Sequence, residues 1–199
     1  MKQKIKILII VSLFGLLLSS LTSCSTSTLT EKEARELPVS RITASFMFDT
    51  TNPRESVGMC DYVFVGRVIS YDGVQYKHEI QRGTKTVGSP HTEYTIQVLD
   101  NIKGKLITKE PIHILKEGGV AQDGNSVYLH ERDLLPESGK KYVFLGYAQP
   151  DGSIIVSGPE SNIPVSENNS TIDKYYDAYK NEILPALSEN TKYHSVYEE

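Results

Sequence analysis

Polar and apolar positions along the chain fall into three regimes: an unbroken apolar run near the N-terminus, a long middle of short alternating stretches, and a C-terminal stretch of helical period. The middle predicts strands. Ile42, Ala44, Phe46 and Phe48 alternate with Thr43, Ser45 and Met47, as a strand with one buried face would. Asn52-Pro53-Arg54-Glu55 starts a helix: Asn as N-cap, Pro at the first helical position, then an acid, giving a short helix to about Met59. Tyr62 to Ile69 is apolar on both faces, as a central strand should be. Asp72-Gly73 predicts a two-residue hairpin turn, with a return through Val74, Tyr76 and Ile80. Gln81 to His91, with two Gly and one Pro, reads as a long loop. Tyr94, Ile96 and Val98 then alternate with Glu93, Thr95 and Gln97. Lys103-Gly104 turns that strand, and Ile112 to Leu115 forms another, stopped by Gly118-Gly119. Val120 to Glu137 shows little pattern beyond a short strand at Val127 to Leu129. Lys141 to Ala148 is a second central strand, and Asp151-Gly152 turns it into Ser153 to Ser157. Ile172, Tyr176, Tyr179, Ile183 and Leu187 recur at helical spacing. They predict one docking helix over about 171–189, with Ser170 and Asp173 as its capping signal and Pro185 as a kink or stop.

The apolar run Ile7–Leu18 follows Lys2, Lys4 and Lys6. At about a dozen residues it is shorter than the roughly 20 a spanning helix needs, and it suits the core of a signal peptide. Leu21-Thr22-Ser23-Cys24 closes it and resembles a bacterial lipobox. That resemblance implies removal of residues 1–23, a lipid on Cys24, and a chain anchored extracytoplasmically in the bacterial cell membrane; a second acyl chain makes such anchoring stable. Residues 24–36 are polar apart from Leu29 and Ala34 and are expected to be a flexible tether, with residues 37–199 as one domain.

Charge narrows the partners. Removing residues 1–23 takes three lysines and no acids, leaving 18 basic against 25 acidic side chains, a net charge of −7. Nucleic-acid binding needs clustered cations and is excluded as the main task. Once Cys24 is lipidated, Cys60 is the sole remaining cysteine. It is open to two readings, a reactive thiol or a small buried hydrophobe. No His lies nearby in sequence to activate it, which favours the second.

Catalytic motifs are missing from the pattern. His78, His91, His113, His130 and His194 show no metal-ligand spacing, and no nucleophile elbow, phosphate loop or dinucleotide fingerprint is present. No catalytic, metal or cofactor residue is assigned. The candidate binding surface is Lys77, Arg82, Lys85 and His91 in a mildly basic stretch of an acidic protein, with Tyr175 on the Tyr-rich helix. A solvated hairpin end is the plainer reading of the basic stretch. Tyr175 and Tyr176 lie about 100° apart on a helix, so one of them is expected to be exposed.

The succession Cys60-Asp61-Tyr62-Val63-Phe64-Val65-Gly66-Arg67-Val68, Tyr94-Thr95-Ile96-Gln97-Val98, Lys103-Gly104, Gly118-Gly119 and Gly139-Lys140-Lys141-Tyr142-Val143-Phe144-Leu145 resembles bacterial extracytoplasmic proteins with a tissue-inhibitor-of-metalloproteinases/netrin-like domain. The resemblance covers roughly residues 52–165. It implies a small OB-like five-stranded barrel with helical additions; together with the helices read from the pattern, the expected fold is mainly β, a barrel with a short helix before the first barrel strand and a C-terminal docking helix. Inhibitors of that family act through a free N-terminal Cys. Here Cys24 is expected to be acylated and the family's disulfides are missing, so that mode does not transfer, and fold alone does not assign function. The expected function is a lipid-anchored binding module that meets a cell-surface protein or wall polymer through loops 81–91 and 118–137. The alternatives are a proteinase-inhibitor-like module and an enzyme with a spatially assembled site.

Overall fold

The computed structural model describes residues 29–184 and 192–199. The expected signal peptide, Cys24 and residues 185–189 of the expected helix lie outside the described residues. Among the described residues, no helix is long and apolar enough to cross a membrane.

The chain is mainly β, and its centre is a closed barrel. In chain order the elements are α1 (Glu31–Glu36), β1 (Val39–Ile42), α2 (Pro53–Met59), β2 (Tyr62–Arg82), β3 (Lys85–Lys103), β4 (Ile112–Glu117), β5 (Gly119–Val120), β6 (Val127–His130), β7 (Lys141–Ala148), β8 (Ile154–Val156), β9 (Asn162–Pro164) and α3 (Ser170–Lys180). Strand β2 pairs with β3, β3 with β4, β4 with β8, β8 with β7, and β7 again with β2. Five strands therefore close on themselves, with β4 and β8 parallel and the other pairs antiparallel. Closure leaves no free edge among these five strands. The result is an OB-like barrel, extended by β9 on β7.

Alternation fills the barrel. Tyr62, Phe64, Val68, Tyr94, Ile96, Val98, Ile112, Ile114, Phe144 and Ile154 form its core. The Phe64 and Phe144 rings stack with centroids 5.3 Å apart. Gly66 lets them approach: a Cβ there would lie 2.6 Å from the Ile96 Cγ2 atom and 3.0 Å from the Phe144 ring. The opposite faces of β2 and β7 bury Val63, Val65, Val143 and Leu145 beneath α2 and α3. Helix α2 forms as its sequence dictates, with the Asn52 side chain accepting from the Arg54 N–H and Pro53 opening the first turn. Cys60 follows it, is buried, and donates its thiol to the Ser56 carbonyl at 3.0 Å. Burial pushes that thiol up to about 12.

The C-terminal residues return to the barrel. Tyr62 accepts from the Ser195 N–H and donates to Glu198, both at 2.8 Å, and the Glu199 N–H donates to the Lys105 carbonyl. The core clusters and every element above lie within residues 29–199, so this part closes its own core.

Several expectations are corrected. Residues 31–36 of the expected tether form α1, capped by a reciprocal Thr30–Glu33 box and docked through buried Ala34. The strand expected through Phe48 stops at Ile42; β1 instead pairs in parallel with β6 and exposes all its side chains. Asp72-Gly73 is not a turn. Strand β2 runs through it with a register shift, and Gly73, at φ 121°, takes the backbone angle of that irregularity. Gln81–His91 is not a loop: β2 and β3 continue their ladder to a two-residue turn at Gly83-Thr84, where Gly83 has φ 64°. Helix α3 starts at Ser170 and ends at Lys180, with Asn169 rather than Ser170 as N-cap.

Candidate functional site

The extra length of β2 and β3 forms a hairpin arm that leaves the barrel. At its base the arm is braced. The Tyr76 hydroxyl donates to the Val120 carbonyl at 3.1 Å, the Gly88 N–H to the Gln122 side chain at 3.2 Å, and Gly118 exchanges backbone bonds with Pro90 and Thr92. Beyond this the bracing stops. From His78 to Val87 every residue is exposed. A register shift between Lys77 and Ile80 marks the transition; His78 sits there at φ 53°, a conformation rare for residues other than glycine. Gly88, opposite, has no room for a side chain, since a Cβ would lie 2.8 Å from that of Tyr76.

The tip has two unlike faces. Ile80 pairs with Val87 and Arg82 with Lys85, while Gln81 pairs with Thr86 between them. Because side chains alternate along a strand, Ile80, Arg82, Lys85 and Val87 share one face. That face carries an exposed apolar pair, Ile80 at 51% and Val87 at 37% exposure, next to two cations. The other face carries the Gln81–Thr86 hydrogen bond of 2.8 Å.

The expected surface residues separate. Arg82 and Lys85 stand together at the tip. Lys77 lies at the base, where it lines a cavity of about 340 Å³ with Gln75, Glu93, His113 and Asp151. There Asp151 is held below the usual carboxylate range by hydrogen bonds from Ser153, with a smaller contribution from Lys77. His91 and Tyr175 are each 3% exposed and are not surface residues. His91 faces the Ser89 carbonyl at 3.1 Å, an oxygen that only accepts, so Nδ1 carries a proton; burial lowers its pKa. Tyr175 packs with Val57, Cys60 and Val143 under α3, so Tyr176 is the more exposed of the two, donating to Asp100 at 2.8 Å.

A second concavity, of about 1010 Å³, lies between the arm base, the 43–50 segment and α2. Phe46, Phe48, His78, His91, Glu117 and Ser157 are among the residues lining it. Polar groups do converge here. The Ser157 hydroxyl donates to Glu117, and His130 Nε2 lies 3.4 Å from the same carboxylate oxygen. Burial alone would raise the Glu117 carboxyl, but the bond from Ser157 and the charge of His130 hold it below its usual value. A carboxylate stabilised in this way is a weak base, and the imidazole reaches the acid rather than the serine. The trio therefore ties together the ends of β4, β6 and β8 and lacks the order needed to activate a serine. Among the described residues, no group of His, Cys, Asp or Glu has the geometry to hold a metal ion.

Beneath this trio lies an ion pair that the sequence reading did not single out. Lys116 is fully buried and its Nζ lies 2.6 Å from Asp133, itself 4% exposed. Asp133 also accepts from the Leu134 N–H at 2.8 Å, while burial pushes its carboxyl up against the pull of Lys116. A signal was present: the alternation of Ile112 and Ile114 puts Lys116 on the same inward face. No family model and no curated protein matches the chain.

Proposed function

We propose that the protein is a lipid-anchored, extracytoplasmic binding module of a bacterial cell envelope, and that the β2–β3 arm is the part that meets its partner. The observation that carries this reading is the unbraced tip. Ten successive residues leave the core, keep a strand ladder, and present an apolar pair beside two cations. A two-stranded hairpin with both faces in water is marginal alone, so a long ladder there is best explained by something it binds. OB-like barrels bind through their loops, the first hairpin among them, which supports the choice of arm by analogy of fold. The lipobox Leu21-Thr22-Ser23-Cys24 supports the location, and the tissue-inhibitor/netrin-like pattern is compatible with the barrel.

Two experiments test this reading. Cys24→Ala is expected to abolish lipidation, and either to release the protein from membranes in high salt or to block cleavage of residues 1–23; a normal lipidated mass in that variant would sink the anchor. For binding, residues 24–199 carrying Cys24→Ser are immobilised and exposed to envelope extract, beside a form with 78–87 replaced by a two-glycine turn. A component retained by the intact arm and lost with the shortened one supports the module. Equal retention by both forms overturns the arm as its binding element.

A further inference from the structure

The arm tip suits one class of surface better than others, and the fold places it within reach of that surface. Leu29 packs with Leu37, Tyr71 and Val74 on the small cluster formed by Ala34, Val120, Val127 and Leu129. The chain thus enters the fold at the base of the arm, since Tyr71 and Val74 belong to the stretch of β2 that leads into it. Between Cys24 and Leu29 there are five residue steps, which span at most about 17 Å when fully extended. From Val74 to the turn at Gly83 the arm runs about 25–30 Å at the strand rise. The leash is shorter than the arm. A domain anchored at Cys24 therefore stays close enough to its bilayer for the tip to touch it.

The composition of the tip matches an anionic bilayer. Arg82 and Lys85 offer two cations to headgroup phosphates. Ile80 and Val87, cross-strand neighbours on the same face, are exposed and belong to none of the three apolar clusters among the described residues, so acyl chains would bury surface that the barrel leaves in water. A soluble polyanion would satisfy the cations and leave the apolar pair in water. Long cationic stems beside apolar side chains are the arrangement that seats at a headgroup boundary. The barrel itself opposes approach to such a surface, because the mature chain has a net charge of −7.

We infer that the β2–β3 arm tip, through Ile80, Arg82, Lys85 and Val87, docks onto the anionic lipid bilayer in which Cys24 is anchored and sets the orientation of the barrel on the membrane. This rests on the proposed lipid anchor and on the arm as binding element, and adds the occupant.

Residues 24–199 with Cys24→Ser are sedimented with vesicles of phosphatidylcholine alone and with vesicles containing about one third phosphatidylglycerol, where each surface cation is worth about five-fold in partitioning. Binding is expected only to the anionic vesicles and to fall with added salt. Arg82→Glu with Lys85→Glu is expected to weaken it about 25-fold or more. Ile80→Ser with Val87→Ser is expected to weaken it several-fold without changing the charge. None of these side chains touches the core, so unchanged thermal unfolding verifies that each variant is folded. Failure to bind anionic vesicles overturns the inference. So does equal binding by wild type and the Ile80→Ser/Val87→Ser variant together with equal binding of soluble polyglycerol phosphate, which would make the ligand a polymer. If vesicles fail while the shortened arm still loses an envelope component, the inference falls and the binding module stands.

Discussion

Lys116 and Asp133 share one buried contact, and its energetics are lopsided. Neither side chain reaches water, so Lys116→Ala leaves a carboxylate buried and unpaired, at an expected cost of about 3–5 kcal/mol in urea unfolding. Replacing both, with Lys116→Met and Asp133→Leu, is expected to cost far less, since no charge is then stranded. Cys60 makes the opposite kind of statement. Its thiol is held neutral to about 12 against an ordinary 9.0, so it is expected to resist iodoacetamide at pH 8 until the protein unfolds. The folded value is the higher one; stability from the neutral thiol is therefore full below pH 9 and is lost as pH rises toward 12. Rapid labelling of the native protein at pH 8 would contradict this. Glu117 titrates with the other sign. Its folded value lies below 4.5, so its contribution is present above that pH and lost as pH falls through the folded value. Glu117→Gln is expected to flatten the acid limb of stability against pH, checked by urea midpoints at neutral and acid pH.

At the scale of elements, β2 leaves room at Gly66 for the Ile96 side chain of β3 and the Phe144 ring of β7, a fit that a Cβ there would disturb. Gly66→Ala is expected to cost about 1–3 kcal/mol in chemical denaturation through displacement of Ile96 and Phe144. The central strands were legible in the sequence because their apolar runs and alternation are consequences of burial: Tyr62–Ile69, Glu93–Leu99 and Lys141–Ala148 all stand where the pattern puts them. Helix α2 was legible through Asn52 and Pro53. The arm was not. Alternation is a signature of one buried face, and the 78–87 stretch buries neither. Its strands are set by the ladder and by Gly83, so composition made them look like a loop. Asp72-Gly73 misleads for a related reason: a positive-φ glycine serves an irregularity within a strand as well as a turn. The stripe on α3 shifted too, because docking chose Tyr175 and Ala178 for the interior where spacing alone favoured Tyr176 and Tyr179. Of the candidate surface residues, Arg82 and Lys85 were found from their charge. Ile80 and Val87 acquire meaning only from the pairing that sets them beside those cations.

For the whole molecule, closure of the barrel and exposure of the arm divide the labour. The five-strand cycle and its two packed faces hold the fold, while the tip adds little to it. An unbraced ladder opens locally at small cost, so its amides exchange quickly when the tip is free. Docking would slow them. The decisive measurement is hydrogen exchange on the full-length protein, as its host produces it, in vesicles of the host membrane, compared with residues 24–199 carrying Cys24→Ser in solution. The expected result is protection gained across 78–87 and little change in the barrel strands. An arm that exchanges at the same rate in both states, or protection that appears instead around the cleft lined by Phe46, Glu117 and Ser157, would contradict binding through the arm.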